Sequence, residues 1–188
     1  MNRAANGSYI TAHNMFSTMT EEEKTKMFGR IPVSTQNMGG NATELSTDTI
    51  PDAVDWRSQG VVNPVQNQGQ CGSCWAFSST AAIESAHAIK TGNLLKLSEQ
   101  QFVDCDTQSS GCNGGLEVWA FAYAEKNAIE LETAYPYTGS NGKCHAQSTE
   151  GQVSVTDFSK VPANSADQLK AAIAIQPTCV SVHAGTIF

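Results

Sequence analysis

The chain has 188 residues, and its 18 acidic side chains outnumber the 11 basic ones to give a formal net charge of −7. This balance argues against a nucleic-acid partner, which requires a basic surface that displaces counterions. No apolar run approaches the roughly 18 residues of a membrane span, and the first residues lack the apolar core of a secretory signal, so we expect no membrane insertion.

The N-terminal part of the chain predicts one short helix and a linker. Thr20 is suited to the N-cap of a helix whose first turn holds three glutamates, and the pattern runs to Phe28 and ends at Gly29. Residues 31–51 are rich in Gly, Asn, Thr and Ser and offer few anchoring side chains, so they predict an extended linker. We therefore divide the chain into an N-terminal piece with its linker, 1–49, and a main body, 50–188.

The main body predicts helices first. Ser73 is suited to cap a helix that begins at Cys74 and ends before Gly92, because glycine accepts the left-handed conformation that closes a helix. A second helix follows Ser98, which forms a capping-box pattern with Gln101. Both helices carry apolar residues at helical spacing, so we expect them in the core.

The remainder of the main body predicts two more helices and then strands. Residues 116–126 place their apolar side chains on one helical face, and Ser165 with Gln168 fits a second capping box. Valines alternate with other residues at two places in the manner of strands, namely Val153 and Val155, then Val180 and Val182. The last pattern has no predicted partner, so we expect an unfinished domain.

The chemistry-bearing residues are concentrated in residues 68–77. Cys74 falls at the first turn of a predicted helix, where free backbone N–H groups and the helix dipole favour a thiolate. The dipole alone lowers the pKa of a thiol by less than about one unit. Gln68 lies on a glycine-rich loop and could direct its amide toward the same place, which would give two donors for a developing oxyanion.

Other interpretations of these cysteines remain open on local features alone. Cys71 and Cys74 could both be structural, or they could form a thioredoxin-like redox pair with C-x-x-C spacing. The redox interpretation expects a preceding βαβ pattern, whereas the residues before Cys71 predict a loop interrupted by proline. A zinc finger is disfavoured, because Cys105 and Cys112 have neither the spacing nor a nearby histidine.

Several ordered motifs together resemble one family. Residues 71–75 match the C-G-[SA]-C-[WY] signature of the papain-like cysteine proteases. Residues 50–57 resemble the start of the mature enzyme, and residues 97–105, 111–115 and 135–137 follow in the family's order. The chain is similar to the cathepsin L-like branch. This resemblance implies an α+β, papain-like two-lobe fold, with the helical lobe complete and the β-rich lobe incomplete.

The resemblance also assigns roles to individual residues. It implies that Cys74 is the nucleophile and that Gln68 supplies the oxyanion-hole side chain. The substrate would lie along the backbone of Gly114 and Gly115, with the second subsite formed by Leu116 and Glu117. Glu117 is a departure from the family's pattern. Its carboxylate could attract a basic substrate side chain or simply point to solvent.

The remaining cysteines are assigned by the same resemblance. It implies the disulfides Cys71–Cys112 and Cys105–Cys144, which leaves Cys179 over. We expect Cys179 to be a small buried hydrophobic residue on a strand. Nothing in the sequence indicates a metal or an organic cofactor.

Residues 1–49 resemble the tail of the family's inhibitory prosegment, which runs through the cleft in reverse. Residues 12–18 keep Asn14 and Phe16 of the G-x-N-x-F-x-D motif but depart from it at two other positions, and the long helix that precedes this motif in the family is missing. Inhibition by this shortened segment is therefore an open question. The family places its catalytic histidine and asparagine roughly 130–150 residues beyond the cysteine, which is past Phe188.

The four histidines of the chain are therefore expected to be ordinary surface or strand residues. We expect a truncated precursor of a cysteine-type endopeptidase that is inactive or poorly active as this chain. The alternative is a non-catalytic lobe that binds a peptide or the prosegment. Expected partners are a peptide or protein substrate and the chain's own prosegment, on a monomer. By family resemblance, the destination is secreted, lysosomal or vacuolar.

Overall fold

The computed structural model describes residues 12–14, 16–31 and 41–182. These residues form five α-helices, with short 3-10 helices at Trp56–Gln59 and Gly111–Asn113. The α-helices are α1 (Glu21–Thr25), α2 (Cys74–Thr91), α3 (Glu99–Cys105), α4 (Glu117–Ala124) and α5 (Ala166–Ile175). Within this part of the chain, none of the helices is long and apolar enough to cross a membrane.

The core forms around α2, against which α3 and α4 pack. Its buried apolar residues come from these three helices and the neighbouring segments and include Trp75, Ile83, Leu97, Phe102, Ala120 and Ile129. Burial of such side chains supplies about 1.5–3 kcal/mol each for the larger ones. Since Trp75 is buried directly beside Cys74, the core holds the first turn of α2 in place.

The predicted helix ends are partly confirmed. Gly92 closes α2 at φ 76°, and Thr20 forms the capping box with Glu23 on α1. α1 ends at Thr25 rather than continuing to Phe28, since Lys26 already takes the cap position. Ser73 occupies the N-cap position of α2, but its side chain makes no capping hydrogen bond, so that part of the prediction is wrong.

The two predicted capping boxes are each only half formed. Ser98 and Ser165 accept hydrogen bonds from the backbone of Gln101 and Gln168, as expected. The glutamine side chains do not reach back to the caps, because they bind more distant backbone instead. Gln101 donates to the carbonyl of Ala128, and Gln168 pairs with Leu45.

The described residues pair as isolated bridges rather than as a sheet. Val153 bridges Ile129 in antiparallel fashion, which is all that forms of the first predicted strand. Val180 and Val182 take part in no bridge and are 56% and 75% exposed, so the second predicted strand is absent from this part of the chain. Alternation specifies which face of a strand can be buried, but a strand also needs a partner to bond with.

The linker is attached to the main body where the structure describes it. Ala42 forms a parallel bridge with Lys160. The side-chain amide of Gln168 accepts from the N–H of Leu45 and donates to its carbonyl, both at 2.8 Å. In this described part, the linker is anchored by its backbone, which composition does not reveal.

Candidate active site

The loop that leads into α2 is held by a disulfide and by backbone hydrogen bonds. Cys71 is bonded to Cys112, and the N–H of Gly72 donates to the carbonyl of Cys112 at 2.9 Å. A second disulfide joins Cys105 to Cys144. Both pairings are those that the resemblance implied. Because Cys71 is engaged with Cys112, it does not form a redox pair with Cys74, which is free.

Cys74 is the first residue of α2 and is half-buried. Burial raises the pKa of its thiol above the ordinary value, and the Glu117 carboxylate raises it further. Hydrogen bonds from backbone N–H groups lower the pKa, the largest such effect coming from Gly29 and smaller ones from Trp75 and Cys74 itself. Together they do not offset the effect of burial. The N–H groups of the first turn lower the pKa as expected, but burial outweighs them, so the net direction is the opposite of the expected one.

Residues 27–31 form a covering segment that lies across the start of α2. The side-chain amide of Gln68 donates to the carbonyl of Met27 and to that of Cys71, both at 2.8 Å. The predicted oxyanion donor is thus already bound to a peptide carbonyl of the same chain.

The same segment pairs with the backbone of Gly115. The N–H of Gly115 donates to the carbonyl of Gly29 at 2.8 Å, and the N–H of Ile31 donates to the carbonyl of Gly115 at 3.4 Å. Arg30 and Gly115 form a parallel bridge. The backbone at Gly115 therefore pairs with residues 29–31 of the same chain.

Glycine is required on both sides of this contact. A Cβ on Gly29 would lie 2.0 Å from the carbonyl oxygen of Gly72 and 3.0 Å from the sulfur of Cys74. Gly114 adopts φ 115°, and a Cβ there would lie 2.7 Å from the carbonyl oxygen of Gly29. Only backbones without side chains can approach this closely, so the segment passes over Cys74 at Gly29.

The two residues that follow the glycines lie at the beginning of α4. Leu116 is fully buried with the segment in place. Glu117 is half-buried, and its carboxylate accepts a hydrogen bond from Ser181 at 3.4 Å. Glu117 also influences both free thiols, since its charge raises the pKa of Cys74 and of Cys179.

The comparisons with known proteins agree with this geometry. Residues 50–188 match the family model described as papain family cysteine protease. The chain belongs to the papain family. It is 43% identical over 174 residues to a cathepsin L-like proteinase of Phaedon cochleariae, covering 90% of this chain and 54% of that protein. It is 48% identical over 138 residues to zingipain-1 of Zingiber officinale, covering 73% of this chain and 62% of that protein.

A solved structure of a related precursor has a similar fold. The digestive procathepsin L 3 of Tenebrio molitor larval midgut superimposes with a TM-score of 0.78 at 34% identity, covering 88% of this chain and 54% of that one. The described residues therefore form the helical lobe of the α+β papain-like fold together with the first part of its β-rich lobe. The chain spans 54–62% of the length of these three relatives.

Three of the four histidines lie in the described part of the chain. His13 is exposed, His87 lies near the C-terminal end of α2, and His145 stacks on the ring of Tyr135 at 3.8 Å. None of these three hydrogen-bonds to Cys74. His183 lies outside the described residues. That His13, His87 and His145 are not the catalytic base stays a prediction.

Cys179 differs in part from its prediction. It is half-buried as a free thiol, and its sulfur donates to the carbonyl of Ser78 at 3.1 Å. Burial raises its pKa to about 11. No strand forms around it in the described chain, so its burial comes from contact with α2 rather than from a sheet.

Proposed function

We propose that this chain is part of a cysteine-type endopeptidase precursor in which Cys74 is the nucleophile and Gln68 an oxyanion donor. One observation carries the proposal: a peptide carbonyl, that of Met27, lies 2.8 Å from the Gln68 amide while its chain passes over the free Cys74 thiol. A substrate carbonyl in the same place would accept this hydrogen bond from Gln68 while its chain lies beside the sulfur.

The proposed chemistry follows from these groups. The Cys74 sulfur adds to the scissile carbonyl carbon, and the carbonyl electron pair moves to oxygen. Gln68 Nε2 and the N–H of Cys74 stabilise that charge, each donor contributing up to about 10²–10³ in rate. A general base must take the thiol proton and return it to the leaving amine. The three described histidines make no contact with the sulfur, so we expect the 188-residue chain to hydrolyse peptides poorly.

The substrate would occupy the place now held by residues 27–31. Gly114 and Gly115 would pair with its backbone, and Leu116 and Glu117 would line the second subsite. We further propose that residues 1–49 are the end of a prosegment with its linker and that the peptidase domain begins at residue 50. In this arrangement the segment inhibits the site in cis, since it binds Gln68 and buries the sulfur.

The compartment follows from the cysteines. Two disulfides are compatible with an oxidising environment, so we propose a secreted, lysosomal or vacuolar destination for a monomeric protein.

A specific observation also favours a second function, a non-catalytic lobe that binds a peptide or the prosegment. The segment is held by hydrogen bonds to Gln68 and Gly115, and the buried thiol has a raised pKa, which disfavours the nucleophilic form. Such a lobe would bind peptides without reacting with them.

An electrophilic peptide distinguishes the two functions. We would treat the chain with a peptidyl chloromethylketone, in which the sulfur forms a bond to the methylene carbon and chloride leaves, and map the adduct by mass spectrometry. We expect modification at Cys74, none at Cys179, and none in a Cys74→Ser control, at a rate above that of the same chain with chloroacetone, which carries the electrophile without a peptide. A reaction no faster than that with chloroacetone supports the binding lobe and contradicts the endopeptidase.

A further inference from the structure

The hydroxyl of Tyr137 lies at the centre of the loop that carries the proposed oxyanion donors. It donates a hydrogen bond to the main-chain carbonyl of Gln68 at 2.8 Å. It also lies 2.6 Å from the hydroxyl of Ser73. Gln68 is the first residue of this loop, and Ser73 directly precedes Cys74. The single oxygen of the Tyr137 hydroxyl therefore hydrogen-bonds near both ends of residues 68–74.

The protons in this contact can be assigned. A tyrosine hydroxyl has one proton, and here it goes to the carbonyl of Gln68. The contact between the two hydroxyls therefore uses the proton of Ser73, and Tyr137 is the acceptor. Ser73 is fully buried, and its other contact, to the carbonyl of Cys71 at 3.5 Å, is at the limit of hydrogen-bond geometry. The side chain of Ser73 is therefore directed to Tyr137, and it makes no capping hydrogen bond to α2.

Tyr137 is itself held on two sides. Its ring packs edge-on against Phe77 of α2, with centroids 4.8 Å apart, and its N–H donates to the carboxylate of Glu132 at 2.8 Å. Burial raises the pKa of Tyr137, so the hydroxyl remains protonated and able to donate. The phenol is thus a rigid point to which the loop is attached.

We propose that Tyr137 is a positioning residue for the oxyanion hole, because its hydroxyl fixes the main chain of Gln68 and thereby the direction of the Gln68 amide. This inference rests on the proposed function of Gln68 and Cys74. Tyr137 contacts neither the sulfur nor the bound segment through these hydrogen bonds. Its effect must therefore pass through Gln68, and a test has to separate the amide's position from the reactivity of the thiol.

Two reagents make that separation on the full 188-residue chain. A peptide aldehyde adds to the Cys74 sulfur, and its oxygen, which takes the thiol proton, occupies the oxyanion hole. Iodoacetamide alkylates the same sulfur with loss of iodide and forms no oxyanion. Both reach Cys74 only when residues 27–31 have moved away. The measured quantity is the ratio of the affinity for the aldehyde to the rate of alkylation by iodoacetamide. Both depend in the same way on the fraction of molecules with an open cleft, so this fraction cancels from the ratio.

We expect Tyr137→Phe to lower this ratio about tenfold, since a small displacement of a catalytic group is costly. Tyr123→Phe is the matched control, because it removes another half-buried hydroxyl that accepts from Gln101 at 3.2 Å, and it should leave the ratio within about twofold. Ser73→Ala keeps the phenol and removes only the proton that it accepts, so it should lower the ratio about two- to threefold.

A double-mutant cycle tests whether Tyr137 acts through Gln68. Gln68→Ala alone should lower the ratio about 10²-fold, and adding Tyr137→Phe should cost nothing more. A ratio for Tyr137→Phe within twofold of the unmodified chain would overturn the inference, as would a tenfold loss that persists without Gln68. If Gln68→Ala itself changes nothing, the proposed function fails as well. Mapped disulfides and melting curves show that each variant is folded.

Discussion

Replacement of Gly29 by alanine should open the cleft. The new Cβ would lie 2.0 Å from the carbonyl oxygen of Gly72 and 2.4 Å from its carbon, distances that backbone atoms cannot relieve without moving. The segment would have to withdraw from Gly115 and Gln68. Three hydrogen bonds would be lost, those between Gln68 and Met27, Gly115 and Gly29, and Ile31 and Gly115.

The size of the effect follows from these contacts. At about 0.5–1.5 kcal/mol each, three hydrogen bonds correspond to about 1.5–4.5 kcal/mol of docking energy. Each 1.4 kcal/mol is about a tenfold change in the open fraction, so Cys74 should become at least about tenfold more accessible. Exposure also removes the burial that raises the pKa of Cys74, which adds thiolate at neutral pH.

The assay is the rate of alkylation of Cys74 by iodoacetamide, followed by peptide mass mapping. Cys179 is an internal reference, since burial raises its pKa to about 11 and the substitution does not touch it. Gly60→Ala is the control for backbone strain away from the site, because Gly60 adopts a left-handed φ of 70° and a Cβ there meets nothing within 4 Å. A folded Gly29→Ala chain whose Cys74 reacts within twofold of the unmodified rate would refute the reasoning.

Three further substitutions test separate parts of the structure. Glu117→Gln removes a charge that raises the pKa of Cys74, so alkylation at pH 8 should be faster, whereas Glu125→Gln at the far end of α4 should have no effect; equal rates would contradict the electrostatic role. Burial raises the pKa of Glu99 to about 7, so the folded chain binds this proton more tightly than the unfolded chain. The melting temperature should therefore rise as pH falls from about 7 toward 4.5, and Glu99→Gln should remove that part of the pH dependence; an unchanged slope would argue against it. Gln168→Ala removes both hydrogen bonds to Leu45, so limited proteolysis of the linker should be several-fold faster than in Gln152→Ala, whose amide binds only nearby Glu150.

Much of the helical part of this protein was determined by the sequence alone. Gly92 ends α2 as its position predicted, because the left-handed conformation that closes a helix is a local property of glycine. The capping box of Thr20 and Glu23 is also a local feature, since both partners lie within one turn of the helix. The ordered family motifs identified the disulfide partners, which spacing alone left open.

Only the tertiary structure decided the state of the site. The pKa of Cys74 is raised rather than lowered because residues 27–31, more than forty positions earlier, remove water from the sulfur. Ser73 turns from its helix to Tyr137 at a separation of 64 residues. Local patterns describe what a side chain can do with its neighbours along the chain. Its hydrogen-bond partner and its exposure depend on which distant segment packs against it, and that is established only when the chain folds.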